Sequence, residues 1–75
     1  MQTTTEPQLI RIKQVMEITG LSKSYLYNLT ANGNFPRSVN IVPGGSSKGW
    51  IKEEIVSWVQ QRIDERNRTI HQLYG

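Results

Sequence analysis

Between Lys13 and Asn32 the apolar residues fall into two short helical repeats separated by a single glycine. Val15 and Ile18 stand three residues apart, Gly20-Leu21 follows, and Leu26 and Leu29 repeat the same step. That spacing predicts an amphipathic helix over about 13–19 and a second over about 23–32, each with one buried side. Gly20 supplies the left-handed backbone that ends the first helix, Leu21 plugs the corner, and the Ser22 hydroxyl caps the free amides of the second. Asn32-Gly33-Asn34 stops that helix. Phe35-Pro36 cannot continue it, and Phe35 is expected to fold back on the core. Two short helices meeting at a sharp glycine corner make a helix-turn-helix.

The flanking pattern is different. Leu9-Ile10-Arg11-Ile12 alternates and reads as an edge strand. Val39-Asn40-Ile41-Val42 and Trp50-Ile51 are β-branched and aromatic arms around Pro43-Gly44-Gly45-Ser46-Ser47-Lys48-Gly49, which predicts a β-hairpin with a flexible tip. A last helix is expected from Lys52 or Glu53 to about Asn67, with Ile55, Trp58, Val59 and Ile63 as its apolar stripe. Glu53 and Glu54 suit its start, and Arg66 and Arg68 its end. On this stripe Trp58 reads as a core anchor. Trp50 either packs under the hairpin or borders a ligand. Ile70 and Leu73-Tyr74 continue a weak apolar pattern that extends the helix or serves a partner. The division expected is a mobile leader over 1–8, one domain over 9–68 and a C-terminal tail over 69–75. A hairpin that follows a helix-turn-helix is a wing. The fold class is therefore mainly α with a small β-hairpin, a winged helix-turn-helix.

Composition narrows the chemistry. Seventy-five residues suffice for one domain near the lower limit for a single hydrophobic core. No cysteine is present, so disulfides and thiolate metal sites are excluded, in keeping with a reducing cytoplasm. The one histidine, His71, lies in the tail and reads as solvated; a single imidazole supports neither a zinc site nor a Ser-His-Asp triad. Neither a metal nor a cofactor is expected, and no acid, base and nucleophile cluster suggests an enzyme. Gly44-Gly45-Ser46-Ser47-Lys48-Gly49 lacks the glycine spacing and the Ser or Thr after lysine of a phosphate-binding loop. No apolar run is long enough to cross a bilayer and the start is too polar for a signal peptide, so a cytoplasmic protein is expected.

Charge changes the picture more. The net charge is +3 and the isoelectric point about 9.6. Arg11, Lys13, Lys23, Arg37 and Lys48 stand in the first fifty residues against Glu6 and Glu17; from Ile51 onward cations and acids balance. The excess thus falls on the part containing the helix-turn-helix, and no acid occurs from Ser22 to Asn32. A purely structural hairpin would show the mixed acids and lysines of a solvated face. The outward residues Lys23, Ser24, Tyr27 and Asn28 instead all donate hydrogen bonds, which suits phosphate or base edges of double-stranded DNA.

Gly20-Leu21-Ser22-Lys23-Ser24 with Leu26-Tyr27 and Leu29, then Gly33-Asn34-Phe35-Pro36-Arg37, then Gly49-Trp50 and Glu54-Ile55 with Trp58, resembles the AlpA family of small phage and prophage regulators. That family is related to the MerR-like excisionase fold, and the resemblance runs from about Leu9 to Arg62. It implies a DNA-binding protein of a mobile element, acting as transcriptional regulator, as recombination directionality factor, or as both. Ser22, Lys23, Ser24 and Tyr27 fall on the family's recognition helix, Arg37 on its basic exit and Lys48 on its wing. Tyr25 stands where the family usually has threonine and Asn28 where it often has arginine, so the base preference of relatives does not carry over.

The resulting assignment gives Tyr27 and Asn28 to base edges, Asn28 offering the paired donor and acceptor that suits adenine. Ser22, Lys23, Ser24, Tyr25, Arg37 and Lys48 are assigned mainly to phosphates. One short helix reads few base pairs, so a monomer that binds repeated sites in several copies is expected, with an integrase or RNA polymerase as further candidate partners. The alternative is a protein-interaction module that contacts one of those enzymes and for which DNA is secondary.

Overall fold

The structure is a computed structural model that describes residues 7–74, with side chains through Thr69. The leader reading for residues 1–6 and the reading of the His71 side chain lie outside the described residues. Three helices and three short strands follow in the order β1 (Leu9–Ile10), α1 (Ile12–Thr19), α2 (Lys23–Ala31), β2 (Val39–Asn40), β3 (Lys48–Ile51) and α3 (Lys52–Tyr74). This is a winged helix-turn-helix.

The strands form an antiparallel sheet in the order β1-β3-β2, so Leu9–Ile10 is an edge strand as expected, while Arg11 already caps α1 and Ile12 begins it. Ile10 pairs with Trp50 and Leu9 with Ile51 on one side; Val39 pairs with Gly49 and Asn40 with Lys48 on the other. Because side chains alternate along a strand, Ile10 and Trp50 share the inner face. Both are buried, which places Trp50 in the core beneath the wing. The outer face carries Leu9, Val39 and Ile51 around Gly49. A Cβ at Gly49 would lie 3.1 Å from two carbons of Ile41 and 3.4 Å from that of Leu9, so glycine lets both side chains cross the middle strand. At the wing tip Gly45 N–H donates to the Val42 carbonyl at 2.8 Å across Pro43-Gly44. Proline second and a glycine at φ 75° third are what a type II turn requires.

Ile10, Val15, Leu26, Phe35, Trp50 and Ile55 make the core, one from each helix, one each from β1 and β3 and one from the loop after α2, with Ile12, Met16, Ile18, Leu21, Leu29 and Trp58 packed around it. α1 and α3 pack on each other and on β3. A fully buried Val, Leu or Ile stabilises by about 1.5–3 kcal/mol; Val15, Leu26 and Ile55 are the most enclosed side chains, beside the larger buried Trp50 and Phe35. Both first helices match the predicted spans to within one residue. α3 differs more: it continues past Asn67 to Tyr74. The helix thus extends through the weak apolar pattern of Ile70 and Leu73-Tyr74, although from Gln60 through Thr69 every residue is exposed.

Candidate nucleic-acid interface

The corner that presents α2 is built from local bonds. Gly20, at φ 76°, donates its N–H to the Met16 carbonyl at 2.8 Å. Thr19 Oγ1 donates back to Val15 O at 2.9 Å and accepts from the Leu21 N–H at 3.2 Å, tying the end of α1 to the start of the turn. Ser22 is extended, and its Oγ accepts from the Tyr25 N–H at 3.3 Å as the predicted cap. A cap hydroxyl of this kind stabilises a helix start by roughly 1 kcal/mol.

The far end of α2 is closed by a paired motif. Asn34 N–H reaches Leu29 O at 2.8 Å and Gly33 N–H reaches Thr30 O at 3.0 Å, with Gly33 left-handed at φ 77°. These two bonds form a Schellman ending. The chain then turns under α3. Trp58 Nε1 donates to the Asn34 carbonyl at 2.8 Å, and its ring meets Phe35 edge-on, with centroids 4.9 Å apart and planes at 74°. Trp58 is therefore only half-buried. Its role is to clamp the exit of α2 rather than to fill the centre of the core, where Ile55 and Trp50 stand instead.

Leu26 is the buried residue of α2, and Leu29 and Thr30 flank it. At about 100° per residue the opposite side of the helix is Ser24, Tyr27, Asn28 and Ala31, spaced i, i+3, i+4, i+7. All four are exposed. Lys23 and Tyr25 project on opposite flanks of this line, both exposed. The arrangement joins a hydroxyl, a phenol, a carboxamide and a methyl in one stripe, with a cation beside it. Ala31 joins the stripe without a polar group of its own; its signal in the sequence is the seven-residue step from Ser24. Asn28 Oδ1 accepts from Asn32 Nδ2 at 3.1 Å, so Asn32 orients the Asn28 amide while the NH2 of Asn28 makes no hydrogen bond among the described residues.

Arg37 and Lys48 are exposed but belong to other elements, and among the described residues neither bonds to α2. Lys48 Nζ donates to Asn40 Oδ1 at 2.6 Å across the strand pair, which holds the ammonium at the base of the wing. Arg37 shares a groove with Glu53 and Glu54 of the first turn of α3, whose carboxylates lower the potential around it. Among the described residues there is no group of three His, Asp or Glu placed to hold a metal ion, and no helix is long and apolar enough to cross a membrane.

The model of the family described as Prophage CP4-57 regulatory protein (AlpA) matches residues 8–63, from β1 well into α3. The chain belongs to the AlpA family. It is also similar to a curated relative, the uncharacterized protein ORF88 of Enterobacteria phage P4, with 36% identity over 64 residues that cover 85% of this chain and 70% of the phage protein. No solved structure matches the chain. The AlpA match spans the corner, α2, the wing and the Trp58 clamp together, so the parts described above form one family unit.

Proposed function

We propose that this AlpA-family protein binds double-stranded DNA by laying α2 in the major groove, and acts by binding rather than by catalysis. The observation that carries this reading is the exposed, acid-free stripe Ser24, Tyr27, Asn28, Ala31 on a helix whose two ends are both fixed. An α-helix fits the major groove, and there a carboxamide can pair with adenine while a methyl packs on thymine. Tyr27 and Asn28 are assigned to base edges, with Ala31 as an apolar contact. Ser22, Lys23, Ser24 and Tyr25 surround them on the phosphates; Lys48 is carried by the wing and Arg37 by the loop after α2.

In a family of prophage regulators this activity serves a mobile element, as control of transcription, as direction of site-specific excision, or both. The second use requires several copies to build a DNA architecture with an integrase; the first requires a promoter site shared or disputed with RNA polymerase. A protein-contact role is favoured by a separate surface: Leu9, Val39, Ile41 and Val42 are exposed side chains of the sheet and wing. Contiguous exposed aliphatic area of this kind suits a protein neighbour better than phosphate.

The test is the salt dependence of binding. Affinity for any duplex should fall steeply as salt rises from about 50 to about 200 mM, and Lys23→Ala, Arg37→Ala and Lys48→Ala should each reduce the slope of log K against log salt by about one. Arg37 is the variant in which neighbouring carboxylates work against the effect. Weak binding with no salt slope would overturn the DNA reading in favour of the protein-interaction module.

A further inference from the structure

α3 outruns the body on which it packs. Ile55 is fully buried and Trp58 and Val59 are half-covered, but from Gln60 through Thr69 the helix is exposed, and it continues to Tyr74. Where its inner line leaves the body it meets the helix-turn-helix corner. Thr19 and Leu21 of the corner and Val59, Arg62, Ile63 and Arg66 of α3 line one open groove of about 300 Å³, and no carboxylate lines it. Leu21 immediately precedes Ser22, the cap of α2. Two guanidinium groups from the far end of the sequence are thus brought beside the start of the helix assigned to DNA.

The two arginines are not equivalent. Arg62 is committed at home: its Nη2 pairs with Glu65 at 2.5 Å and its guanidinium lies 5.9 Å from the centre of the Trp58 ring. Arg66 hydrogen-bonds only to the neighbouring Asn67 side chain, at 2.9 and 3.2 Å, and among the described residues it meets no carboxylate. It is a cation held on a helix, at the corner, with no ion pair among the described residues. When a recognition helix enters the major groove, the elements leading into it lie along the sugar-phosphate backbone. A phosphate at this groove would meet Arg66 among lining residues that include no carboxylate, and a guanidinium fork matches its oxygens.

We infer that Arg66 of α3 is a further phosphate contact of the DNA interface, with Arg62 a weaker, partly neutralised neighbour. The inference rests on the proposed DNA binding and deepens it. DNA is favoured over an acidic protein because the groove is lined at the corner that leads directly into the acid-free α2, whose first turn exposes Lys23 and Ser24.

The experiment compares Arg66→Gln with Arg68→Gln in the full chain. Both remove one charge from an exposed helical position, but two residues apart on a helix they point to nearly opposite sides. Each variant is titrated with one mixed-sequence duplex at several salt concentrations, with helicity checked by circular dichroism. Arg66→Gln should flatten the slope of log K against log salt by about one, and Arg68→Gln should leave it unchanged. A slope unchanged by Arg66→Gln would overturn the contact and leave the groove to a protein partner. Equal flattening in both variants would overturn it too, since the charge would then act through the overall field. The wild-type slope decides the DNA reading itself, so the two failures are distinguishable.

Discussion

At the scale of single residues, Asn28 is held at one end of its amide and open at the other. Asn32 donates to its oxygen at 3.1 Å, and the oxygen retains a second lone pair, so the amide can still engage adenine on both atoms. Asn28→Ala should cost about 1 to 3 kcal/mol on the preferred site, relax the choice at one or two base pairs, and barely change affinity for random duplex. Asn32→Ala should move the same quantities in the same direction by less, because it frees the amide to rotate without removing it. Competition titrations with specific and random duplexes measure both; equal losses on the two duplexes would make Asn28 a backbone contact. Gly20, Ser22 and the outward Tyr27 and Asn28 were legible in the sequence because caps and left-handed corners have few chemical solutions. Ala31 and Asn32 were not. A methyl carries no donor, and a helix-stop asparagine does not announce that its side chain reaches back one turn.

At the scale of elements, the spans of α1 and α2 follow from apolar period and turn residues to within one residue; the wing forms as expected, but its strands are Val39–Asn40 and Lys48–Ile51, so Ile41-Val42 falls in the loop and Lys48-Gly49 in a strand. Trp58 and the end of α3 do not follow in the same way. The three- and four-residue step placed Trp58 on the apolar stripe, but the step cannot distinguish the centre of a core from its rim. Its indole N–H bond to Asn34 spans 24 residues of sequence and is visible only after folding. Trp58→Phe keeps an aromatic edge for Phe35 and loses that bond, at a net cost of about 0.5 to 1.5 kcal/mol. In a domain of this size 1 kcal/mol shifts the melting temperature by about 4–8 °C. Trp58→Ala removes the ring as well and should cost about 3 kcal/mol or more. Thermal unfolding followed by circular dichroism should rank wild type, Trp58→Phe and Trp58→Ala in that order. If Trp58→Ala melts with the wild type, the clamp on the exit of α2 is not a stabilising contact.

At the scale of the whole molecule, the sequence divides charge into a basic first half and a balanced second half. Folding does not preserve that division: Arg62 and Arg66 return to the corner before α2, while Glu53 and Glu54 come to line a groove with Arg37. Linear charge counts missed this because a helix of 23 residues, about 35 Å long, carries its two ends to different neighbours. One recognition helix still reads few base pairs, so the protein should sediment as a monomer when free and footprint repeated sites cooperatively, with the exposed aliphatic side of the wing available to a neighbouring copy. A tight dimer in solution, or full affinity on one isolated repeat, would point instead to a two-fold symmetric repressor. The central claim is that the outer stripe of α2 chooses the sequence, and repeated selection from a pool of random duplexes tests it most directly. Wild-type protein should enrich one short motif, while the folded variant carrying Tyr27→Ala and Asn28→Ala together should bind DNA and enrich none. Enrichment of the same motif by that variant would contradict the account.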